Sequence, residues 1–216
     1  MKGLFVLSSL AAAVLAVPFD VISSRPLTVR EESSLAERHE HQKTCPTGGT
    51  LPASGYLSPT LMVPISAKMP NLALGPTKNP IVTPNDICTI FNLVIPASAL
   101  GKTCTLEFLF PSFPYQTLSP TVYYGPGHFT FTGYAFDSGA LVNTTYNSQP
   151  PPGPSPPQPP AVLTPGNAYT INVGDCGIQP NQTQMTVSGK LCSTDTILSY
   201  RQSSKTCPIG FFVVIS

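Results

Sequence analysis

The sequence predicts an all-β protein, an antiparallel β-sandwich of about nine short, disulfide-stabilised strands. Three observations predict it. From residue 44 onward the chain is rich in Thr, Ser, Pro, Val, Ile, Phe and Tyr, residues that suit strands and turns. Short apolar or alternating runs recur there between Pro, Gly and Asn turn signals. Six cysteines follow a segment built like a secretory signal peptide, which places folding in an oxidising compartment. The sequence carries no internal repeat and no amphipathic helix longer than about three turns.

Residues 1–16 read as the signal peptide. Lys2 supplies the positive start, and Leu4 to Leu15 is apolar apart from Ser8 and Ser9. Val14 and Ala16 stand at the −3 and −1 positions of a small-residue cleavage site. The stretch is too short to remain as a membrane anchor. Residues 17–56 read as a linker or propeptide, first charged and then Gly/Pro/Ser/Thr-rich. Nine charged side chains crowd into 17–43: Asp20, Arg25, Arg30, Glu31, Glu32, Glu37, Arg38, Glu40 and Lys43. That stretch has little apolar content after Leu27 and should stay solvated. Residues 57–216 form the predicted sandwich.

Leu61-Met62-Val63 is the first short strand, ended by Pro64. Prolines 70, 76, 80 and 84 make a crossing, closed by the turn Pro84-Asn85-Asp86. Ile87 to Ile95 is a strong strand, with Ile87, Thr89, Phe91, Leu93 and Ile95 on one side. Thr103 to Phe110 alternates: Cys104, Leu106, Phe108 and Phe110 face one way, Thr103, Thr105 and Glu107 the other. Pro111 to Tyr124 is a second crossing. Gly127 to Phe136 reads as a strand, Ser138-Gly139 turns it, and Ala140 to Tyr146 follows as another. Pro150 to Pro160 holds eight prolines in eleven residues, favours polyproline II and should not join a ladder. After the turn Pro165-Gly166-Asn167, strands are expected at Ala168–Gly174, Thr183–Ser188, Thr196–Arg201 and Ile209–Ile215.

The cysteines are Cys45, Cys88, Cys104, Cys176, Cys192 and Cys207. An even count in a secreted chain predicts disulfides, with fifteen connectivities open. Structural zinc sites draw ligand pairs from close knuckles. The closest pair here, Cys192 and Cys207, is fifteen residues apart, so no metal site is assigned. If Ile87–Ile95 and Thr103–Phe110 formed a hairpin around Pro96–Lys102, Cys88 and Cys104 would lie on the order of 20 Å apart. A disulfide needs Cα atoms within about 7 Å, so a simple hairpin excludes that pair.

Chemistry-bearing residues are sparse after Lys43: one histidine, His128, and five carboxylates, Asp86, Glu107, Asp137, Asp175 and Asp195. A glycosidase needs two carboxylates facing each other across a cleft. Glu107 alone lies inside a strand, while the four aspartates sit in turns, where they serve local hydrogen bonding. Asp137-Ser138-Gly139 resembles part of the trypsin-like nucleophile motif, but Phe136 and Ala140 replace its flanking glycines. His128 does not match that layout either. No catalytic residue and no cofactor is assigned. Asn143-Thr144-Thr145 and Asn181-Gln182-Thr183 are acceptor sites for N-glycans in a secreted chain. Tyr115, Tyr123, Tyr124 and Tyr134 are candidates for a sugar-stacking platform, although the chain has no Trp. Net charge is +1 with no basic cluster, which excludes nucleic acid as a partner. No membrane span remains in the mature chain. The final apolar run Phe211–Ile215 is too short for a glycolipid-anchor tail and reads as a buried strand.

Several stretches together resemble the fungal But-two C-terminal domain family. They are Phe91-Asn92-Leu93-Val94-Ile95-Pro96 and Gly101-Lys102-Thr103-Cys104-Thr105-Leu106-Glu107-Phe108-Leu109-Phe110-Pro111, with Thr144-Thr145-Tyr146-Asn147 and Pro165 through Cys176 later. The resemblance covers roughly residues 57–216. It implies a binding role, the family being named after a protein that binds ubiquitin-like modifier machinery, and it brings no catalytic residues. Many members resemble secreted or cell-surface proteins of filamentous fungi, in keeping with the signal peptide. The expected protein is thus secreted and extracellular or cell-wall-associated. It is a non-catalytic binding or structural module, with wall polysaccharide or glycoprotein as candidate partners. The alternatives are a carbohydrate-active enzyme using paired carboxylates and a binder of ubiquitin-like machinery.

Overall fold

A computed structural model describes residues 49–112, 121–153, 160–205 and 207–216. They belong to one unit of the chain, Gln42–Ser216; the other unit, Met1–His41, lies outside the described residues. So do the expected signal peptide, the charged segment 17–43, Cys45, Tyr115 and residues 154–159 of the proline-rich run.

The architecture is all-β and antiparallel, as expected, with eleven strands among the described residues. They are β1 (Tyr56–Leu57), β2 (Leu61–Ser66), β3 (Ile81–Val82), β4 (Ile87–Pro96), β5 (Thr103–Phe110) and β6 (Val122–Tyr124). Then follow β7 (Phe129–Gly133), β8 (Asn167–Asp175), β9 (Gln184–Ser193), β10 (Ile197–Ser199) and β11 (Gly210–Ile215). One four-stranded sheet runs β1-β11-β5-β8 and the other β2-β4-β9-β7, with a three-stranded flank β3-β10-β6. The count exceeds nine because β1, β3 and β6, each two or three residues long, are too short to show a period.

The phenylalanines explain why the sheets stack. Phe108 and Phe110 of β5, Phe91 of β4, Phe131 of β7 and Phe211 of β11 are buried in one cluster. Phe211 is its hub, with ring centroids 4.7 Å from Phe91, 4.8 Å from Phe108 and 5.7 Å from Phe131. Such separations are those of favourable aromatic pairs. Tyr200 closes one side, 5.8 Å from Phe108.

Strands β4 and β5 are not a hairpin. The chain leaves β4 through a 3₁₀ turn at Ala97–Ala99, passes Gly101 at φ 69°, and enters the opposite sheet. The distance argument against Cys88–Cys104 therefore loses its premise, yet that bond does not form. Cys88 pairs with Cys192, and Cys104 with Cys176. Both bonds join antiparallel neighbours. Cys88 and Cys192 lie one step beyond the Thr89–Leu191 pair of β4 and β9, with Cα atoms 4.6 Å apart, close enough for bridging. Cys207 is also disulfide-bonded.

Three further expectations are corrected. Pro64 does not end β2 but lies within it, opposite Thr89; β2 is an edge strand, where a missing N–H costs no ladder bond. Ile87–Ile95 is not one-sided: Cys88, Ile90 and Asn92 are buried as well as Phe91, Leu93 and Ile95. Residues 140–146 are not a strand but turns, in which Thr144 Oγ1 accepts the Leu141 N–H at 2.7 Å. The start of the proline-rich run joins no strand but makes one isolated antiparallel bridge, Pro152 opposite Tyr134. Pro151 accepts the Ala135 N–H and Gly153 donates to Gly133, both at 2.9 Å, so the bonds bypass the missing proline N–H of Pro152.

The second and third corrections share a cause. Residues 134–153 fold across the outer face of the β2-β4-β9-β7 sheet. Val63, Ile65, Cys88 and Ile90 are buried there against Tyr134 and Ala140. The buried amide of Asn92 holds this cover: its Nδ2 donates to the Ala140 carbonyl at 2.9 Å and its Oδ1 accepts the Ala140 N–H at 3.0 Å. Gly139 permits the approach, since a Cβ there would stand 2.7 Å from Asn92 Nδ2.

Candidate functional site

The inner face of the same sheet is less completely filled. Gly133 of β7 and Gly189 of β9 are paired, and Gly189 is also paired with Phe91 of β4. All three positions face the other sheet. Two adjacent inward positions therefore carry no side chain. The Phe131 ring leans over Gly189 and takes the space that a Cβ there would need. Beside these glycines lies a cavity of about 320 Å³ between the sheets.

One wall is Phe91, Leu93 and Ile95 of β4 with Val187 of β9. The facing wall is Leu106 of β5 with Phe211 and Val213 of β11, and the Cys104–Cys176 disulfide borders it. The exposed residues among its boundary, Phe136, Asn172 and Asp175, mark where it meets solvent, at the side where edge strands β7 and β8 lie. At ~24 cal/mol per Å³, a sealed empty void of this size would cost on the order of 8 kcal/mol, comparable to a whole domain's stability. An opening to solvent lets water or a ligand occupy the space. The volume falls in the range of small-molecule sites, which run ~300–1,000 Å³.

Polar chemistry is confined to the rim. Among the described residues Asp175 is the one charged residue bounding the cavity, and its Oδ1 accepts the Gly177 N–H at 2.6 Å. The Tyr134 hydroxyl is engaged elsewhere, donating to Gln149 Oε1 at 2.8 Å, and burial pushes its pKa up. Gln149 Oε1 also accepts from Lys190 Nζ at 2.6 Å, and burial lowers that ammonium's pKa.

Of the sequence candidates for chemistry, Asp175 and Tyr134 border the cavity, and Glu107, Asp86, Asp137, His128 and Asp195 are not among its lining residues. Glu107 faces away from Phe108 and Phe110, as its position in β5 predicts; burial alone raises its pKa, with no second carboxylate contributing. Asp86 serves its turn, accepting from Ser66 Oγ at 2.6 Å and from the Lys68 N–H at 3.1 Å, and the Ser66 bond chiefly lowers its pKa. Asp137, at φ 54°, accepts the Thr186 N–H at 3.0 Å and the Gln182 side-chain amide at 3.0 Å. Ser138 presents its carbonyl to Ser188 Oγ. Asp137-Ser138-Gly139 thus pins a turn onto β9 and the Asn92 clamp.

Sequence reasoning missed one pair: His128 Nδ1 lies 2.6 Å from Asp195 Oδ2. The residues are 67 apart in sequence, and nothing local signals the contact. Thr196 Oγ1 donates to Asp195 Oδ1 at 2.6 Å and accepts the Gly127 N–H at 2.7 Å. Ser193 Oγ donates to the His128 carbonyl at 2.6 Å. The Thr196 hydrogen bond is the main cause of the lowered Asp195 pKa. The histidine is oriented as in a catalytic dyad, but the nearby hydroxyls bond Asp195 and backbone, so the network ties the entry of β7 to the β9–β10 turn.

Among the described residues the candidate tyrosines Tyr123, Tyr124 and Tyr134 do not form one platform. Tyr123 packs against Phe110 and donates to the Leu163 carbonyl, Tyr134 is buried, and Tyr124 is exposed. Both sequon asparagines, Asn143 and Asn181, are exposed. Among the described residues no cluster of three or more His, Cys, Asp or Glu could hold a metal, and no helix is long and apolar enough to cross a membrane.

Residues 57–206 match the family model described as Ubiquitin 3 binding protein But2 C-terminal domain. No curated protein was found to match the chain.

Proposed function

The chain belongs to the But2 C-terminal domain family, and from that premise we propose that it is an exported, non-catalytic binding module whose ligand site is the cavity between its sheets. The observation that carries this reading is an apolar space of about 320 Å³ opening to solvent, with its polar groups at the rim. Export rests on the signal-like start and on the paired cysteines, which suit an oxidising compartment. Exposed Asn143 and Asn181 then become glycan acceptors. The place of action is the fungal extracellular space or cell wall. Wall polysaccharide and glycoprotein remain partner candidates, without the aromatic platform that would favour a polysaccharide.

The test is expression of the full chain in a filamentous fungus, followed by fractionation. Recovery from supernatant or wall, with Val17 as the new N-terminus and a mass loss on endoglycosidase treatment, is the expected result. Retention inside the cell with Met1–Ala16 intact would contradict export. It would favour the second reading, binding of ubiquitin-like machinery, which rests on the family's description. Co-sedimentation of the secreted protein with chitin or β-glucan tests the wall partner.

A further inference from the structure

We infer that the inter-sheet cavity takes a compact apolar ring compound that carries no negative charge. The inference rests on the binding-module reading above and adds the ligand's chemistry.

Size comes first. The cavity is about 320 Å³, roughly twice the ~150 Å³ apolar cavity that admits one benzene ring. Two fused or linked rings fit that space; a sugar chain, which would need polar partners along its length, does not.

Wall chemistry comes second. Phe91, Phe131 and Phe211 present rings to the space, and Leu93, Leu106 and Val187 complete it. Rings packed at 4.7 and 5.7 Å about Phe211 offer faces and edges to a further aromatic group. The paired Gly133 and Gly189 border the space, and the Phe131 ring lies over Gly189.

Charge comes third. Among the described residues Asp175 is the one charged side chain on the boundary, and no Lys, Arg or His borders the cavity. Its Oδ1 is held by the Gly177 N–H, which fixes the carboxylate at the rim. A carboxylate or sulfonate on the ligand would meet this like charge with no cation to offset it, whereas a hydroxyl or amine would meet an acceptor.

The test uses two naphthalene probes of similar shape on the full secreted chain: neutral N-phenyl-1-naphthylamine and anionic 1-anilinonaphthalene-8-sulfonate. The neutral probe should bind with enhanced fluorescence, and the anionic probe about five- to tenfold more weakly at low salt. Asp175→Lys should bring the two within about twofold, because it replaces the rim's like charge by an attractive one. Val187→Phe and, separately, Leu106→Phe should abolish binding of the neutral probe, with circular dichroism and melting temperature showing that each variant is folded. Should one variant unfold, the other carries the comparison. Equal binding of both probes, lost in a folded filling variant, would overturn the charge selectivity but keep the cavity as a ligand site. Binding of neither probe, or binding that survives both filling variants, would overturn the inference and the cavity reading together.

Discussion

The two faces of the β2-β4-β9-β7 sheet solve the same packing problem differently. On the outer face, Val63, Ile65, Cys88 and Ile90 are sealed by the chain's own segment 134–153. On the inner face, Phe91, Leu93 and Ile95 look partly onto a cavity. Both faces are apolar, so hydrophobicity does not distinguish them. The difference lies in Asn92 and in the glycines. One buried amide makes two hydrogen bonds to Ala140 and fastens a cover. Gly133 and Gly189 are paired on the border of the cavity, with the Phe131 ring over Gly189. A close-packed interior leaves few voids larger than water, so the opening distinguishes the inner face and makes it the proposed place for a ligand.

The comparison can be broken on either side. The largest effect is expected at Phe211, which contacts three rings across the sheets. Phe211→Ala should cost ~3–5 kcal/mol by denaturant titration, because it joins a new void to the existing one. Replacing Cys88 and Cys192 by Ala removes a bond spanning 104 residues and should cost ~2–5 kcal/mol. On the outer face, Asn92→Asp keeps the shape but sets a carboxylate oxygen against the Ala140 carbonyl. A loss of ~2–4 kcal/mol is expected, with faster proteolysis within 134–153. An unchanged cleavage pattern would show that the cover does not depend on the clamp.

Smaller effects sharpen the account. The Tyr200 hydroxyl is buried with no hydrogen-bond partner among the described residues, and burial raises its pKa. Tyr200→Phe should therefore leave stability unchanged or raise it by up to ~1 kcal/mol, whereas a clear loss would reveal a partner for that oxygen. The smallest effect concerns pH. Glu107 has its pKa raised above 4.5 by burial, so its ionised form works against the fold at neutral pH and the penalty fades as pH falls through the folded pKa. Glu107→Gln should give a slightly higher melting temperature at pH 7 and no difference near pH 3. Asp86 and Asp195 act oppositely: their pKa values are lowered from 3.8, so the stability they add is present above 3.8 and lost as pH drops below it. Asp195→Asn should flatten that acid limb of the melting curve.

Regions with a clean period were legible in the sequence, and long-range pairings were not. β5 has the predicted bounds Thr103–Phe110, but its burial does not alternate: Cys104 to Glu107 are half-buried, and Leu109 is buried with Phe108 and Phe110. The final apolar run is the buried strand β11. Residues 140–146 mislead because Leu141, Val142 and Tyr146 have strand propensity, while the Thr144 hydroxyl satisfies the turn's N–H instead. The cavity was invisible because its walls come from β4, β5, β9 and β11 across two sheets, with Gly133 and Gly189, 56 residues apart in sequence, paired on its border. Asn92 lies in a stretch that carries the family resemblance, yet its clamp on Ala140 spans 48 residues. The His128–Asp195 pair depends likewise on a strand pairing that no local pattern announces.

The central claim is that one face of this sheet is open to apolar ligands and the other is not. A crystal of the full chain pressurised with xenon tests it directly, since xenon enters open apolar cavities and marks them by electron density. The account predicts a xenon peak bounded by Phe91, Phe131 and Phe211, absent in Val187→Phe, and none beneath residues 134–153. No peak between the sheets in the unsubstituted protein, or a peak only under the Asn92 cover, would contradict it.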